Sequence, residues 1–166
     1  MKKLILLLMV LSLLLCGCSV ESEIEKPLKF FYPVNNRDYS FGSSYIQPEI
    51  REGATLGNDI TDVLNAYLKG PVDQINYTMP FQYNTQVHSI YQNGSILTIT
   101  LTRGFATYTG MPLTIACACI TLTILELTNA KTVRIQAHNT TLDGAEYIEM
   151  SLDTILLLDI GTPVQE

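Results

Sequence analysis

Apolar residues recur along this chain with two different periods, and the change from one to the other marks its elements. Ile60, Val63, Leu64 and Tyr67 stand at i, i+3, i+4 and i+7, the stripe of an amphipathic helix. Asn58 is placed to cap that helix, Asp59 and Asp62 suit the positive end of its dipole, and Lys69 suits the other end. Gly70-Pro71 ends it, because glycine takes the left-handed conformation beyond a helix and proline cannot continue one. Further on the period drops to two. Leu97, Ile99 and Leu101 fall on one face of a strand, and Thr98, Thr100 and Thr102 on the other. Asn93-Gly94 just before them predicts a hairpin over Gln86 to Thr102. Its register stays open: a two-residue turn puts Ile90 and His88 on the apolar face, a three-residue loop puts Ser89 and Val87 there.

Pro112 opens a second helix that runs to about Leu127. Leu113, Ala116, Cys117, Ile120 and Ile124 make its main stripe, yet Ile115, Leu122 and Leu125 lie off it. A helix apolar nearly all round is buried on more than one side or covers a partner. Thr132 to His138 alternates again through Val133, Ile135 and Ala137, after a tight turn at Asn129-Ala130-Lys131. At the other end, Leu28 to Tyr32 is an aromatic-rich strand stopped by Pro33, and Asn35 to Ser44 is a polar turn region. Tyr45 to Arg51 is a second strand whose Pro48 marks an edge or an irregularity. Asp143-Gly144 is a turn, and Tyr147 to Leu158 supplies one more strand with an irregular return. The expected fold is α+β: an antiparallel or mixed sheet of about five strands with two helices packed on one face.

The N-terminus follows another logic. Met1-Lys2-Lys3 precedes an apolar run from Leu4 to Leu15, too short to span a bilayer and patterned as a secretory leader. Leu15-Cys16-Gly17-Cys18 resembles a bacterial lipobox. The resemblance implies cleavage before Cys18 and a diacylglyceryl group on its thiol. Cys16 fits less well, since Leu15 would occupy the place where the peptidase needs a small residue. Two acyl chains anchor stably because each buried methylene contributes about 0.8 kcal/mol. The expected organisation is a leader at 1–17, an acidic tether at 18–26, one domain at 27–160 and a tail at 161–166. That places the domain outside the cytoplasm, anchored to the outer face of the bacterial cytoplasmic membrane.

Loss of the leader would leave 149 of 166 residues and remove Lys2 and Lys3, taking the formal charge from −6 to −8. So acidic a chain, with no basic run, suits neither nucleic acid nor anionic lipid headgroups. Cys117 and Cys119 would be its remaining thiols, which is no disulfide framework, and they read as small buried apolar groups. Zinc would need Cys117, Cys119, His88 and His138 together. Thiols at i and i+2 diverge on a helix and the histidines are far apart in sequence, so no metal is expected. Hydrolysis would need a nucleophile beside a base, a metal, or two carboxylates across a cleft. His88 reads as structural or exposed, and Asp143 with Glu146, or Glu149 with Asp153, as solvated faces near turns. No catalytic, cofactor-binding or metal-ligating residue is expected, and the chain is not expected to be an enzyme. A solute receptor is disfavoured because one domain lacks two-lobe closure.

One family carries most of these features in order. Phe30-Phe31-Tyr32-Pro33 resembles the opening aromatic strand of GerMN domains, found in sporulation and spore-germination lipoproteins. Leu64-Asn65-Ala66-Tyr67-Leu68-Lys69-Gly70-Pro71 is similar to that family's helix ending in Leu-x-Gly-Pro. Gly94 to Ile99 with Gly104-Phe105-Ala106 resembles its central hairpin and the glycine-x-alanine turn after it. Ile120 to Glu126 followed by Val133-Arg134-Ile135 is similar to its Thr-Leu-rich helix and next strand. The resemblance covers roughly residues 28–145. Two departures stand out: Tyr108-Thr109-Gly110 replaces a segment that is acidic in many members, and no tandem copy is found. What the resemblance implies is a non-enzymatic, membrane-tethered module, similar in fold to the ring-building domains of sporulation secretion complexes. Such a module would act through protein partners or self-assembly. The alternatives are a small-ligand or cell-wall-binding lipoprotein and, ranked last, an envelope hydrolase.

Overall fold

The computed structural model describes residues 27–35, 45–51 and 59–155. The leader, the tether with Cys18, the polar region at 36–44, Asn58 and the C-terminal tail lie outside the described residues.

Strand β1 (Leu28–Pro33) pairs antiparallel with β2 (Ile46–Arg51) as a two-stranded sheet, with Phe31 opposite Pro48. The absent N–H of Pro48 leaves nothing unpaired on Phe31. The Phe31 N–H donates instead to Thr123 Oγ1 at 3.0 Å, and its carbonyl accepts from the Tyr67 hydroxyl at 3.0 Å. Helix α1 (Ile60–Leu68) carries the expected stripe, with Leu64 and Tyr67 buried. Asp59 fills the capping role assigned above to Asn58, accepting from the Thr61 N–H at 3.0 Å. At its other end Gly70 takes a φ of +102°, and a Cβ there would meet the Met79 side chain at 3.1 Å. The backbone conformation there favours glycine, and a Cβ would in addition crowd the Met79 side chain.

Next come β3 (Val87–Asn93), β4 (Ile96–Leu101), a 3₁₀ turn (Arg103–Thr107) and helix α2 (Gly110–Leu127). They are followed by β5 (Thr132–Ala137), β6 (Ile148–Ser151) and the short α3 (Leu152–Ile155). The second sheet runs β3-β4-β5-β6, with β4 and β5 parallel and the outer pairs antiparallel. Helix α2 is the crossover that lets two consecutive strands lie parallel. The architecture is α+β, with six strands divided between two sheets among the described residues.

The hairpin resolves its register in a way that takes a part from each alternative. Its loop is the two residues Gly94-Ser95, with Asn93 opposite Ile96 and Gly94 at a φ of +59°. Glycine with positive φ at the first loop position suits the twist of a hairpin. Ile90 lies opposite Ile99 and joins the apolar face. A bulge between Val87 and Ser89 then adds one residue, so Val87 rather than His88 lies opposite Leu101. His88 is the extra residue and is exposed.

Helix α2 packs against β1 on one side and against β5 and β6 on the other. By length and composition it could cross a membrane, but half of it is enclosed by the protein. The two sheets cover two sides of it, while Ile115, Leu122 and Leu125 are half-buried and Met111 is exposed. Cys117 and Cys119 point in different directions and are nevertheless both fully buried and unbridged. Burial pushes the Cys117 thiol up to about 12, and the Cys119 thiol higher still. Burial likewise raises the Tyr32 and Tyr67 hydroxyls well above their ordinary value.

One buried polar network ties the two-stranded sheet to the rest. Glu49 is 6% exposed. Its Oε2 accepts from Arg51 Nε at 2.8 Å, and its Oε1 accepts from the Val72 and Asp73 N–H groups at 2.8 Å each. Arg51 Nη2 donates to the Gly70 carbonyl at 2.7 Å and to the Tyr32 hydroxyl at 3.0 Å, with its guanidinium 4.6 Å from the Phe30 ring centroid. The Tyr32 hydroxyl donates in turn to the Tyr67 carbonyl at 2.7 Å. The network thus joins β1, β2, the end of α1 and the loop beyond it.

Removing one partner of such a pair leaves the other buried and uncompensated. Glu49→Ala should therefore lower the unfolding free energy by about 3–5 kcal/mol in urea denaturation. Glu49→Gln, which keeps an acceptor for the loop amides, should lose less. A Glu49→Ala loss below about 1 kcal/mol would show that the network contributes little. The raised thiols and hydroxyls set the pH dependence. In the unfolded chain they ionise near 9.0 and 10.0, whereas the fold resists ionisation, so their contribution is complete below pH 9 and lost as pH rises above it. The melting temperature should hold steady between about pH 7 and 8.5 and fall progressively by about pH 10.5. Both thiols should stay inert to alkylation until that transition. An unchanged melting temperature at the higher pH would contradict this account.

Candidate interaction surface

The inner face of the four-stranded sheet carries Leu97, Ile99, Leu101, Val133 and Ile135, all buried. Strand alternation therefore points the intervening residues outward, and none of the described helices covers that outer face. Register arranges them in rows. Tyr91 lies opposite Thr98, Thr98 opposite Arg134, and Arg134 opposite Glu149. Arg134 Nε and Nη2 donate to Glu149 Oε2 at 3.1 and 2.8 Å, and the guanidinium sits 4.3 Å from the Tyr147 ring centroid. Tyr91 is 67% exposed at the edge of this row. A second row runs Ser89, Thr100, Gln136, with the last two side chains 3.4 Å apart.

At the far end of that face the two histidines meet. His88 is supplied by the bulge and His138 by the residue just past β5, whose N–H donates to the Leu101 carbonyl at 2.8 Å. Their ring centroids are 3.7 Å apart with planes inclined at 34°. Asn139, at a φ of +54°, places its amide nitrogen 2.9 Å from His138 Nε2. The sequence had placed these histidines far apart; strand order joins them across β4.

A different patch lies beside β2. Ile50, Val72 and Ile75 are 62%, 78% and 81% exposed, and the first two line a shallow cleft of about 510 Å³. The polar groups of that cleft are already occupied: Glu49 and Arg51 by the buried network, and the Tyr77 hydroxyl by the Pro48 carbonyl at 3.0 Å. A second shallow cleft of about 480 Å³ is lined by Arg103, Thr107 and Thr140 among others.

The carboxylate pairs considered as acid and base do not face one another across either cleft. Glu149 is held by Arg134, and Asp143 Oδ2 accepts from the Gly110 N–H at 3.2 Å; Glu146 and Asp153 are exposed. The four zinc candidates are split, with Cys117 and Cys119 in the core and His88 and His138 on the surface. Among the described residues no three His, Cys, Asp or Glu side chains gather as a metal cluster. The outer face offers hydroxyls, an amide, one guanidinium and two exposed aromatic rings, a composition suited to contact with another macromolecule. Its Thr side was legible from alternation, while Arg134, Tyr147 and Glu149 became neighbours only through the pairing of β5 with β6.

Comparison with known proteins bears on the same region. The Germane family profile, described as sporulation and spore germination, matches residues 30–143. No curated protein matches the chain. Among solved structures, the tandem GerMN domains of the sporulation protein GerM from Bacillus subtilis superpose with a TM-score of 0.60 at 19% identity. That match covers 82% of this chain and 49% of the other, so this chain spans about half of GerM's tandem unit. A Clostridium perfringens chain described as a candidate lipoprotein gives a TM-score of 0.48 at 18% identity, covering 84% of this chain and 94% of that one. With the profile running from Phe30 in β1 to the turn at Asp143, this chain belongs to the Germane family of sporulation and spore germination proteins.

Proposed function

We propose that this chain is a lipoprotein tethered through Cys18 to the outer face of the cytoplasmic membrane, with a GerMN domain that works as a non-enzymatic binding or scaffolding module. Its setting would be sporulation, spore germination or envelope assembly, in line with the family to which it belongs. The observation that carries the reading is the outer face of the four-stranded sheet, which none of the described helices covers and where Tyr91, Thr98, Arg134 and Glu149 align across all four strands. A sheet with one solvated face normally carries scattered polar residues; here aromatic rings and an ordered guanidinium stand beside hydroxyls. The leader supports the tether: a twelve-residue stretch from Leu4 to Leu15 that is apolar but for Ser12, then Gly17-Cys18. No nucleophile is seen hydrogen-bonded to a base among the described residues, and the clefts are shallow, which favours binding over chemistry.

Two measurements test the two halves separately. Cys18→Ser should abolish incorporation of labelled fatty acid into the protein; labelling that survives the substitution would refute lipid tethering at that residue. A photo-crosslinking side chain at position 91 should trap an identifiable envelope protein or a second copy of this chain. The same probe at Tyr83, 90% exposed but off the sheet face, should not. Equal trapping at both positions, or selective retention of a wall fragment by the face, would remove the scaffold reading.

A further inference from the structure

We propose that His88 and His138 form a surface binding site for a late first-row divalent transition-metal ion, of the Cu²⁺, Ni²⁺ or Zn²⁺ class. The chain has just two histidines among 166 residues, separated by fifty positions, and the fold brings both rings into contact. Two features of the sheet produce that contact. The bulge at His88 removes it from the core-facing alternation, and the parallel pairing of β4 with β5 brings His138 to the carbonyl of Leu101. The rings therefore approach from the two strands flanking β4, at the same end of the outer face.

Imidazole is a strong ligand for these ions, and carbonyl and carboxylate oxygens are the ligands that calcium and magnesium select. A chelate formed by two imidazoles at metal–nitrogen distances of about 2.0–2.1 Å places the ring centroids about 5 Å apart. From the present 3.7 Å and 34° the rings need to fan open by little more than about 1 Å. His88 is free to make that movement, because its side chain is exposed and its backbone stands at the bulge rather than in the regular ladder. The Asn139 amide already lies against His138 Nε2 at 2.9 Å, so that nitrogen is at the surface with a polar neighbour. Turned over, the same amide presents its carbonyl oxygen as a further donor. No carboxylate or thiol joins the pair among the described residues, so water or a docking molecule would complete the coordination. Cys117 and Cys119, buried in α2, take no part. The bound ion would fasten β3 to the end of β5 across β4 and leave open positions facing outward.

The test is titration of the full chain in detergent with Cu²⁺, followed by calorimetry and electron paramagnetic resonance, with Zn²⁺, Mg²⁺ and Ca²⁺ in parallel. One equivalent of Cu²⁺ should bind with coupling to two nitrogen nuclei, and Zn²⁺ should protect both histidines from diethyl pyrocarbonate. Mg²⁺ and Ca²⁺ should do neither. His88→Ala and His138→Ala should each weaken binding about tenfold or more, while Cys117→Ser leaves it unchanged. Should His138→Ala fail to fold, His88→Ala, altering an exposed side chain, decides the matter alone. Unchanged affinity in folded His88→Ala, or coupling to a single nitrogen, overturns the proposal. So does wild-type binding no tighter than that of the double variant.

Discussion

The structure rests on the need to cover helix α2 on two sides. Eighteen residues from Gly110 to Leu127 carry apolar side chains around almost the whole circumference, with Glu126 their one charged residue. One sheet can bury only one stripe of such a helix. The four-stranded sheet takes the side that meets β5 and β6; β1, with its partner β2, takes another. The second sheet is therefore a consequence of the helix. The same requirement explains why two cysteines that diverge on α2 are both buried, and why their thiols resist ionisation.

A two-stranded sheet is marginal by itself. Here it is held to the domain by the buried rings of Phe30 and Tyr32 against Tyr67, and by polar groups beside them. Thr123 on α2 supplies an acceptor to β1, Tyr67 on α1 supplies a donor, and the Glu49–Arg51 pair joins β2 to the loop after α1. Buried ion pairs gain little over apolar packing in stability, but they demand particular partners in particular places. In this fold they fix where the small sheet sits, since Glu49 Oε1 reaches the loop after α1 and Arg51 reaches both that loop and Tyr32 on β1. The arrangement also leaves Ile50 outside while Glu49 is inside, the reverse of what residue type alone would assign.

The outer face follows from the parallel pairing of β4 and β5. A crossover helix covers one face of the sheet, and its counterpart on the other face is absent among the described residues. What remains exposed is a surface whose rows are set by register across four strands, with the histidine pair at one end and the Arg134–Tyr147–Glu149 group toward the other. The match to the Germane family, described as sporulation and spore germination, runs over residues 30–143 and so includes the strands β3, β4 and β5 of that sheet.

Much of this was legible in the chain. The period of 3.6 in α1, the all-round apolar character of α2, the alternation of β4 and β5, and the Gly70-Pro71 stop are local properties, readable because a helix or strand repeats its own geometry. The ordered motifs from Phe30 to Ile135 were enough to indicate the family. Other features needed the folded chain. A hairpin bulge is one residue long and shifts faces without a composition signal, so Val87 and His88 could not be assigned beforehand. Burial of Glu49 depends on two loop amides twenty-odd residues away, and the contact of His88 with His138 on the order of strands between them. The sequence by itself determined the elements and their apolar faces, because those arise between near neighbours. Tertiary structure alone decided which polar residues were buried, paired or brought together, because those depend on groups distant along the chain.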